Sequence, residues 1–189
     1  MKTGRGKFAV GKIIEHEKES YEIVKYISGR YRSVKVLSTG TILPNVHTWQ
    51  LTTGEIEDPM KPLVYGVGYF GIGEYKCKVN GKDCKAYKTW NRMLERCYSD
   101  KYHSANRYSE RGVKVCEEWH NYQNFAEWFN DNYIEGFELD KDILSGVLYS
   151  PETCIFVPKE LNSFFTLRNN DRGEYPLGVG YDKSSKNSM

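Results

Sequence analysis

The chain has 189 residues, of which 39% are hydrophobic, 28% charged and 14% aromatic. That length holds one ordinary domain or two small ones and excludes a large multidomain machine, while the apolar content excludes a disordered chain. Twenty-seven Lys and Arg stand against 25 Asp and Glu, a net charge of +2, so any surface for a polyanion must be local rather than global. The longest uncharged stretch, Val36 to Gly54, is broken by Pro44 and many polar residues, short of the roughly 20 apolar residues of a membrane helix. No apolar run of signal-peptide length follows Met1-Lys2-Thr3-Gly4-Arg5-Gly6-Lys7, and the expectation is a cytoplasmic protein with no membrane span.

From Phe8 to Asp58 the chain reads as short β segments: Phe8 to Ile14, Tyr21 to Ile27, Tyr31 to Leu37 and Thr41 to Trp49. Tyr31-Arg32-Ser33-Val34-Lys35-Val36-Leu37 alternates with period two, and Ser28-Gly29 and Ser38-Thr39-Gly40 supply turn chemistry. Four strands in this span predict a small β-barrel of SH3-like type at residues 1–61, an accessory module with ten basic and seven acidic side chains and a candidate for DNA contacts. Glu57-Asp58-Pro59-Met60-Lys61-Pro62 reads as the linker, because each proline holds its predecessor extended.

Beyond the linker, Val64 to Phe70 and Glu74 to Val79 read as a hairpin with glycine bends, and Asn80-Gly81 as a tight turn into a strand from Lys82 to Ala86. The period then changes. Trp90, Met93, Leu94 and Cys97 fall on one helical face, while Lys88, Arg92 and Arg96 recur at i, i+4 and i+8 on another, which is either a phosphate-binding stripe or an ordinary solvated surface. Tyr98 to Gly112 reads as loop, and a second helix over about Asn121 to Tyr133 places Phe125, Trp128 and Phe129 on one face. Five cysteines, Cys77, Cys84, Cys97, Cys116 and Cys154, contain no C-x-x-C pair. They read as reduced, packed thiols, with a zinc knot as the weaker alternative.

The segment Gly136-Phe137-Glu138-Leu139-Asp140-Lys141-Asp142-Ile143-Leu144, followed by Tyr149-Ser150-Pro151-Glu152-Thr153-Cys154-Ile155-Phe156-Val157-Pro158 and Lys159-Glu160-Leu161-Asn162, reads as a strand ending in acidic residues, a turn, a second strand and a short helix. Asp140 and Asp142 offer a hard divalent cation two carboxylates within three residues, and the alternative is a polar turn in solvent. Lys141 would act as a point charge on phosphate rather than as a base.

Together, Trp90-x-x-Met93-x-x-Arg96-Cys97, Arg111-Gly112-Val113-x-Val115-Cys116-x-x-Trp119, Phe125 and Trp128, Leu139-Asp140-Lys141-Asp142 and Tyr149-Ser150-Pro151-Glu152-Thr153-Cys154 resemble, in order, the HNH-like (His-Me finger, ββα-metal) endonuclease proteins of phages and bacteria. The resemblance covers about residues 87 to 165. Residues 173–182 further resemble the start of the APETALA-type DNA-binding segment that follows such nucleases, here as a short extended tail over 173–189.

The resemblance implies an α+β chain with a ββα-metal domain at 62–172 that cleaves DNA phosphodiesters with Mg²⁺ or Mn²⁺. It places Asp140, Lys141, Asp142 and Tyr149 in catalysis and Asp140, Thr153 and Asn162, or a residue up to three later, at the metal. It leaves Lys88, Arg92, Arg96, Arg111, Arg168 and Arg172 for nucleic acid. His103 and His120 are further candidates for the base. The chain departs from the family at two points: active members carry Asp-His or Asp-Arg where this chain has Asp140-Lys141, and their metal-binding Asn falls on Thr153. The alternatives are an inactive nucleic-acid-binding scaffold, with DNA the expected partner and RNA still open, and a protein-interaction module using exposed aromatics.

Overall fold

A computed structural model describes residues 6–99, 111–144 and 146–165, and shows a mixed α+β chain with two separate hydrophobic cores. His103, Arg168, Arg172 and the tail at 173–189 lie outside the described residues.

The first core belongs to a four-stranded antiparallel meander, β1 (Ile13–Glu15), β2 (Ser20–Tyr26), β3 (Tyr31–Val36) and β4 (Ile42–His47), in that spatial order. Period-two alternation turns Tyr21, Ile23, Val34 and Val36 inward with Ile14 and Val46. A bulge between Arg32 and Val34 breaks that alternation, so that Arg32, Ser33 and Val34 are all buried.

The expected SH3-like barrel does not close. β1 is three residues long, with a 3-10 turn at Gly6–Phe8 where a longer strand was expected. The chain leaves β4 as α1 (Thr48–Thr53) rather than as a further strand. His47 enforces that exit. Its Nδ1 accepts the Trp49 N–H at 3.1 Å while Gln50 Oε1 accepts the His47 N–H at 3.0 Å, a reciprocal cap that ends the strand two residues before Trp49. Leu51 of α1 then seals one end of the core.

The second core gathers two helices and several short strands. β5 (Lys78–Val79) and β6 (Lys82–Asp83) pair around Asn80-Gly81, whose φ values of 51° and 74° give the tight turn expected there. α2 (Lys85–Tyr98) and α3 (Tyr122–Asn132) form over the helical periods read from the sequence, burying Ala86, Trp90, Met93, Leu94 and Cys97 from one and Tyr122, Phe125, Ala126 and Phe129 from the other. β7 (Lys114–Val115) runs parallel to β9 (Leu148–Tyr149), whereas β8 (Phe137–Asp140) pairs antiparallel with β10 (Ile155–Pro158). α4 (Lys159–Phe165) follows β10 directly and packs on both strands of that pair. Among the described residues, no helix is long and apolar enough to cross a membrane.

The hairpin expected at 64–79 is replaced by a turn, with only a bridge between Val64 and Gly68. One side chain supplies what a strand partner would have given. Gln123 Nε2 donates to the carbonyls of Phe70 and Tyr75, both at 3.1 Å, and Gln123 Oε1 accepts the Tyr75 N–H at 3.0 Å. Gly68 lies directly against α2. A Cβ there would sit 2.4 Å from Leu94 Cδ1 and 3.0 Å from Trp90 Cζ2, both fully buried.

All five cysteines are free thiols. Burial pushes the Cys154 thiol up to about 12 and the Cys97 and Cys77 thiols up to about 11.

Overpacking of this kind costs about 1–3 kcal/mol. Gly68→Ala is therefore expected to lower Tm by several degrees in a thermal melt, and an unchanged Tm would show that α2 yields where the packing says it cannot.

Candidate functional site

α2 buries one face and therefore presents the other. With Trp90, Met93, Leu94 and Cys97 turned inward, Lys85, Lys88, Arg92 and Arg96 are exposed along the opposite side. That side forms one wall of a 290 Å³ cleft. The facing wall comes from the strand pair: Phe137, Glu138 and Leu139 of β8, Tyr149 of β9, Phe156 of β10 and Asn162 of α4.

Aromatic packing sets the depth of the cleft. Phe156 stacks on Trp128 with ring centroids 5.5 Å apart and meets Tyr133 and Phe129 edge-on at 5.4 Å. Lys85 fastens the start of α2 to the approach of β8, donating to Tyr133 Oη at 2.9 Å and to the Glu135 carboxylate. The Lys85 ammonium holds the Glu135 carboxyl below its usual range. Among the described residues, neither Lys88 nor Arg92 is ion-paired with a carboxylate. With Lys85 paired to Glu135, the cleft presents Lys88 and Arg92 opposite the exposed carboxylate of Glu138, whose Oε2 accepts from Asn162 Nδ2 at 2.9 Å.

The residues expected at the catalytic, metal and nucleic-acid sites divide into two groups. Tyr149 and Asn162 line the cleft with Lys88, Arg92 and Arg96, whereas Asp140, Lys141, Asp142, Thr153 and Arg111 are outside its lining. β8 ends at Asp140, so Lys141 and Asp142 belong to the turn that follows. Asp140 is 7% exposed, and its Oδ1 accepts the Ile143 N–H at 2.9 Å, closing that turn.

Lys141 is 2% exposed. Its Nζ donates to Asp142 Oδ1 at 2.6 Å and to the Gly146 carbonyl at 3.1 Å, and lies 5.4 Å from the centre of the Tyr149 ring. Arg111 also approaches Asp142, at 3.9 Å. A buried ammonium joined to carboxylate, carbonyl and ring acts as a pin for the 141–149 loop. The phosphate clamp expected of Lys141 would need that ammonium at the surface.

Thr153 is likewise occupied by its own turn. Its hydroxyl donates to the Leu148 carbonyl at 2.7 Å and accepts the Ser150 N–H at 3.0 Å. His120, a candidate base, has its Nε2 3.4 Å from Tyr98 Oη.

Asp140 therefore offers a carboxylate at the end of β8, Thr153 a hydroxyl inside its turn and Asn162 a carboxamide across the cleft wall. Among the described residues, no three His, Cys, Asp or Glu side chains converge to hold a metal ion. The donors as arranged do not make a closed metal site. Glu138, which was not among the expected site residues, does reach the cleft. It stands two residues before Asp140 in the same strand, yet it is exposed at the cleft whereas Asp140 is buried outside the lining.

Cys154 packs beside this turn, 3% exposed. Its thiol is pushed up to about 12 by burial, above the ordinary thiol value near ~8.5. The folded state binds the proton more tightly than the unfolded chain does, so its stability is intact below the ordinary value and falls as pH climbs toward 12. Tm is expected to hold up to pH ~8.5 and then decline, less steeply in Cys154→Ala. Equal slopes in wild type and variant would contradict the thiol's part in it.

Comparison with protein-family models, with curated proteins and with solved structures returned no match.

Proposed function

We propose that the chain binds nucleic acid, with duplex DNA as its partner, by seating the phosphate backbone in the cleft between α2 and the β8–β10 pair on an HNH-like scaffold. The observation that carries this reading is the cleft wall itself, on which Lys88, Arg92 and Arg96 follow one another at helical spacing with Lys85 beside them. Cations in a row along an exposed helix match phosphates in a row along a strand, and displaced counterions supply the favourable free energy. Tyr149 and Asn162 belong to the wall opposite the row. Arg111 is spent in part on Asp142 and contributes less.

Metal-dependent cleavage of the bound strand is the second reading. It is favoured by one observation: Asp140 ends the first strand of an antiparallel pair whose second strand runs straight into a helix packed on both, which is the ββα order. Mg²⁺ or Mn²⁺ held there would supply Lewis-acid charge on a phosphate oxygen. No step is routed through Lys141, because its ammonium is buried. The N-terminal meander is read as an accessory module whatever the cleft does.

Binding of a labelled duplex, followed by anisotropy between 50 and 200 mM salt, tests the first reading. Each removed phosphate contact lowers the slope of log affinity against log salt by about 0.9, so Lys88→Ala with Arg92→Ala is expected to flatten it by about 1.8. A slope unchanged by the double variant would contradict the cleft as the interface.

Incubation of supercoiled plasmid with Mg²⁺ or Mn²⁺ tests the second reading. Nicking by wild type that Asp140→Ala abolishes supports cleavage. Intact plasmid with both proteins, while duplex binding persists, leaves a non-catalytic scaffold.

A further inference from the structure

The meander has a second surface of distinct chemistry, at the end where β3 begins and β4 stops. Tyr31 and His47 face each other across that end of the sheet, and their rings meet edge-on with centroids 5.1 Å apart. Trp49 follows in the first turn of α1, its ring 6.3 Å from that of His47. Tyr31 is 41% exposed and Trp49 50% exposed. A half-exposed Trp beside a half-exposed Tyr lies outside the usual burial of these residues.

The row is held rigidly. His47 Nδ1 is taken up as acceptor of the Trp49 N–H, so in the neutral ring the proton sits on Nε2. The Thr48 N–H donates to the Arg30 carbonyl at 2.8 Å, which ties the β2–β3 turn to the start of α1.

Two arginines stand at this end of the sheet, with Glu55 beyond Gln50, whose Nε2 donates to the Glu55 carbonyl at 3.3 Å. Arg30 lies in the turn. Beneath the row, Arg32 is 5% exposed, and its guanidinium donates to the carbonyls of Phe8 and Tyr31, both at 2.9 Å, and of Ser28, with the Tyr26 ring 4.6 Å away. Among the described residues no carboxylate is ion-paired with Arg32. These carbonyls take up N–H groups of Nε and Nη1 and leave the charge uncancelled, and a buried charge is screened less by salt than an exposed one. The carboxylates Glu15, Glu17 and Glu19 gather at the β1–β2 turn, the opposite end of the sheet.

We infer that this end of the meander binds single-stranded nucleic acid, stacking unpaired bases on Trp49 and Tyr31 while Arg30 and the field of Arg32 hold the phosphates. Exposed ring faces select the single strand, since a duplex keeps its base faces stacked and offers only edges and backbone. Charge decides the occupant. An uncharged proline-rich peptide would use the rings and gain nothing from the arginines. The inference rests on the nucleic-acid reading of the chain and adds to it a second site with a different ligand form.

The test is anisotropy of labelled oligothymidylate and of a labelled duplex with the full chain, comparing wild type, Trp49→Ala, Trp49→Phe and Lys88→Ala with Arg92→Ala. Loss of one stacked base is expected to weaken oligothymidylate binding about 5- to 150-fold in Trp49→Ala, with most of it retained in Trp49→Phe. Duplex binding should change less than about 2-fold in either, since a duplex offers no base face to stack. Tryptophan fluorescence should be quenched by oligothymidylate in wild type and not in Trp49→Ala.

Oligothymidylate affinity unchanged by Trp49→Ala overturns the inference, as does displacement of the strand by a proline-rich peptide at lower concentration than by unlabelled oligothymidylate. Binding of duplex without oligothymidylate overturns the inference alone and leaves the cleft. Binding of neither overturns both.

Discussion

The position of the cationic helix face follows from what the other face of the same helix must bury. Trp90 is fully enclosed, its Nε1–H donates to the Trp119 carbonyl at 2.6 Å, and its ring lies 5.4 Å from Tyr122 and 6.0 Å from Tyr87. Burial of a side chain of this size contributes about 1.5–3 kcal/mol, and a satisfied indole N–H avoids the cost of an orphaned donor. Rotation of α2 about its axis would lose that bond and bring Lys88 or Arg92 toward the core. The cationic side of the helix is thus set by the indole on its reverse.

The same economy governs the turn after β8. Lys141 carries its charge into the interior, where an ammonium is tolerated only with partners close at hand. Asp142, the Gly146 carbonyl and the Tyr149 ring are those partners, and they draw the 141–149 loop back toward β9. β9 then adds to β7 in parallel, with Cys116 N–H donating to the Tyr149 carbonyl at 2.9 Å, so the loop is joined to the body of the domain at both ends. Residues read from the sequence as chemical groups at a phosphate serve here to fix the backbone that carries Asp140.

Much of this organisation was legible in the residues. Trp90, Met93, Leu94 and Cys97 announce α2 because four apolar side chains at i, i+3, i+4 and i+7 fit no strand, and Asn80-Gly81 announces its turn because both residues accept positive φ. The order of strand, turn, strand and helix from Phe137 onward was legible for the same kind of reason. What failed was long-range. The expected hairpin after Val64 is replaced because its backbone groups pair with Gln123, 48 residues beyond Tyr75, and no local pattern reports that partner. α1 was hidden inside an apolar β-like run, and its one signal was the spacing of His47 and Gln50, a three-residue interval that suits a reciprocal cap. The burial of Lys141 depends on Gly146 and Tyr149, five and eight residues later, and a charged residue next to two aspartates reads as surface until those contacts exist.

The described residues thus gather into two hydrophobic cores, one under an open sheet with aromatic rings at one end and one under a helix that presents a row of cations to a strand pair. Amide hydrogen exchange of the full chain with and without a DNA duplex tests the second of these most directly. The account predicts slower exchange confined to 85–98 and 137–162, the two walls of the cleft. Protection that appears only in the meander at 13–47, or on the far side of α3, would contradict it.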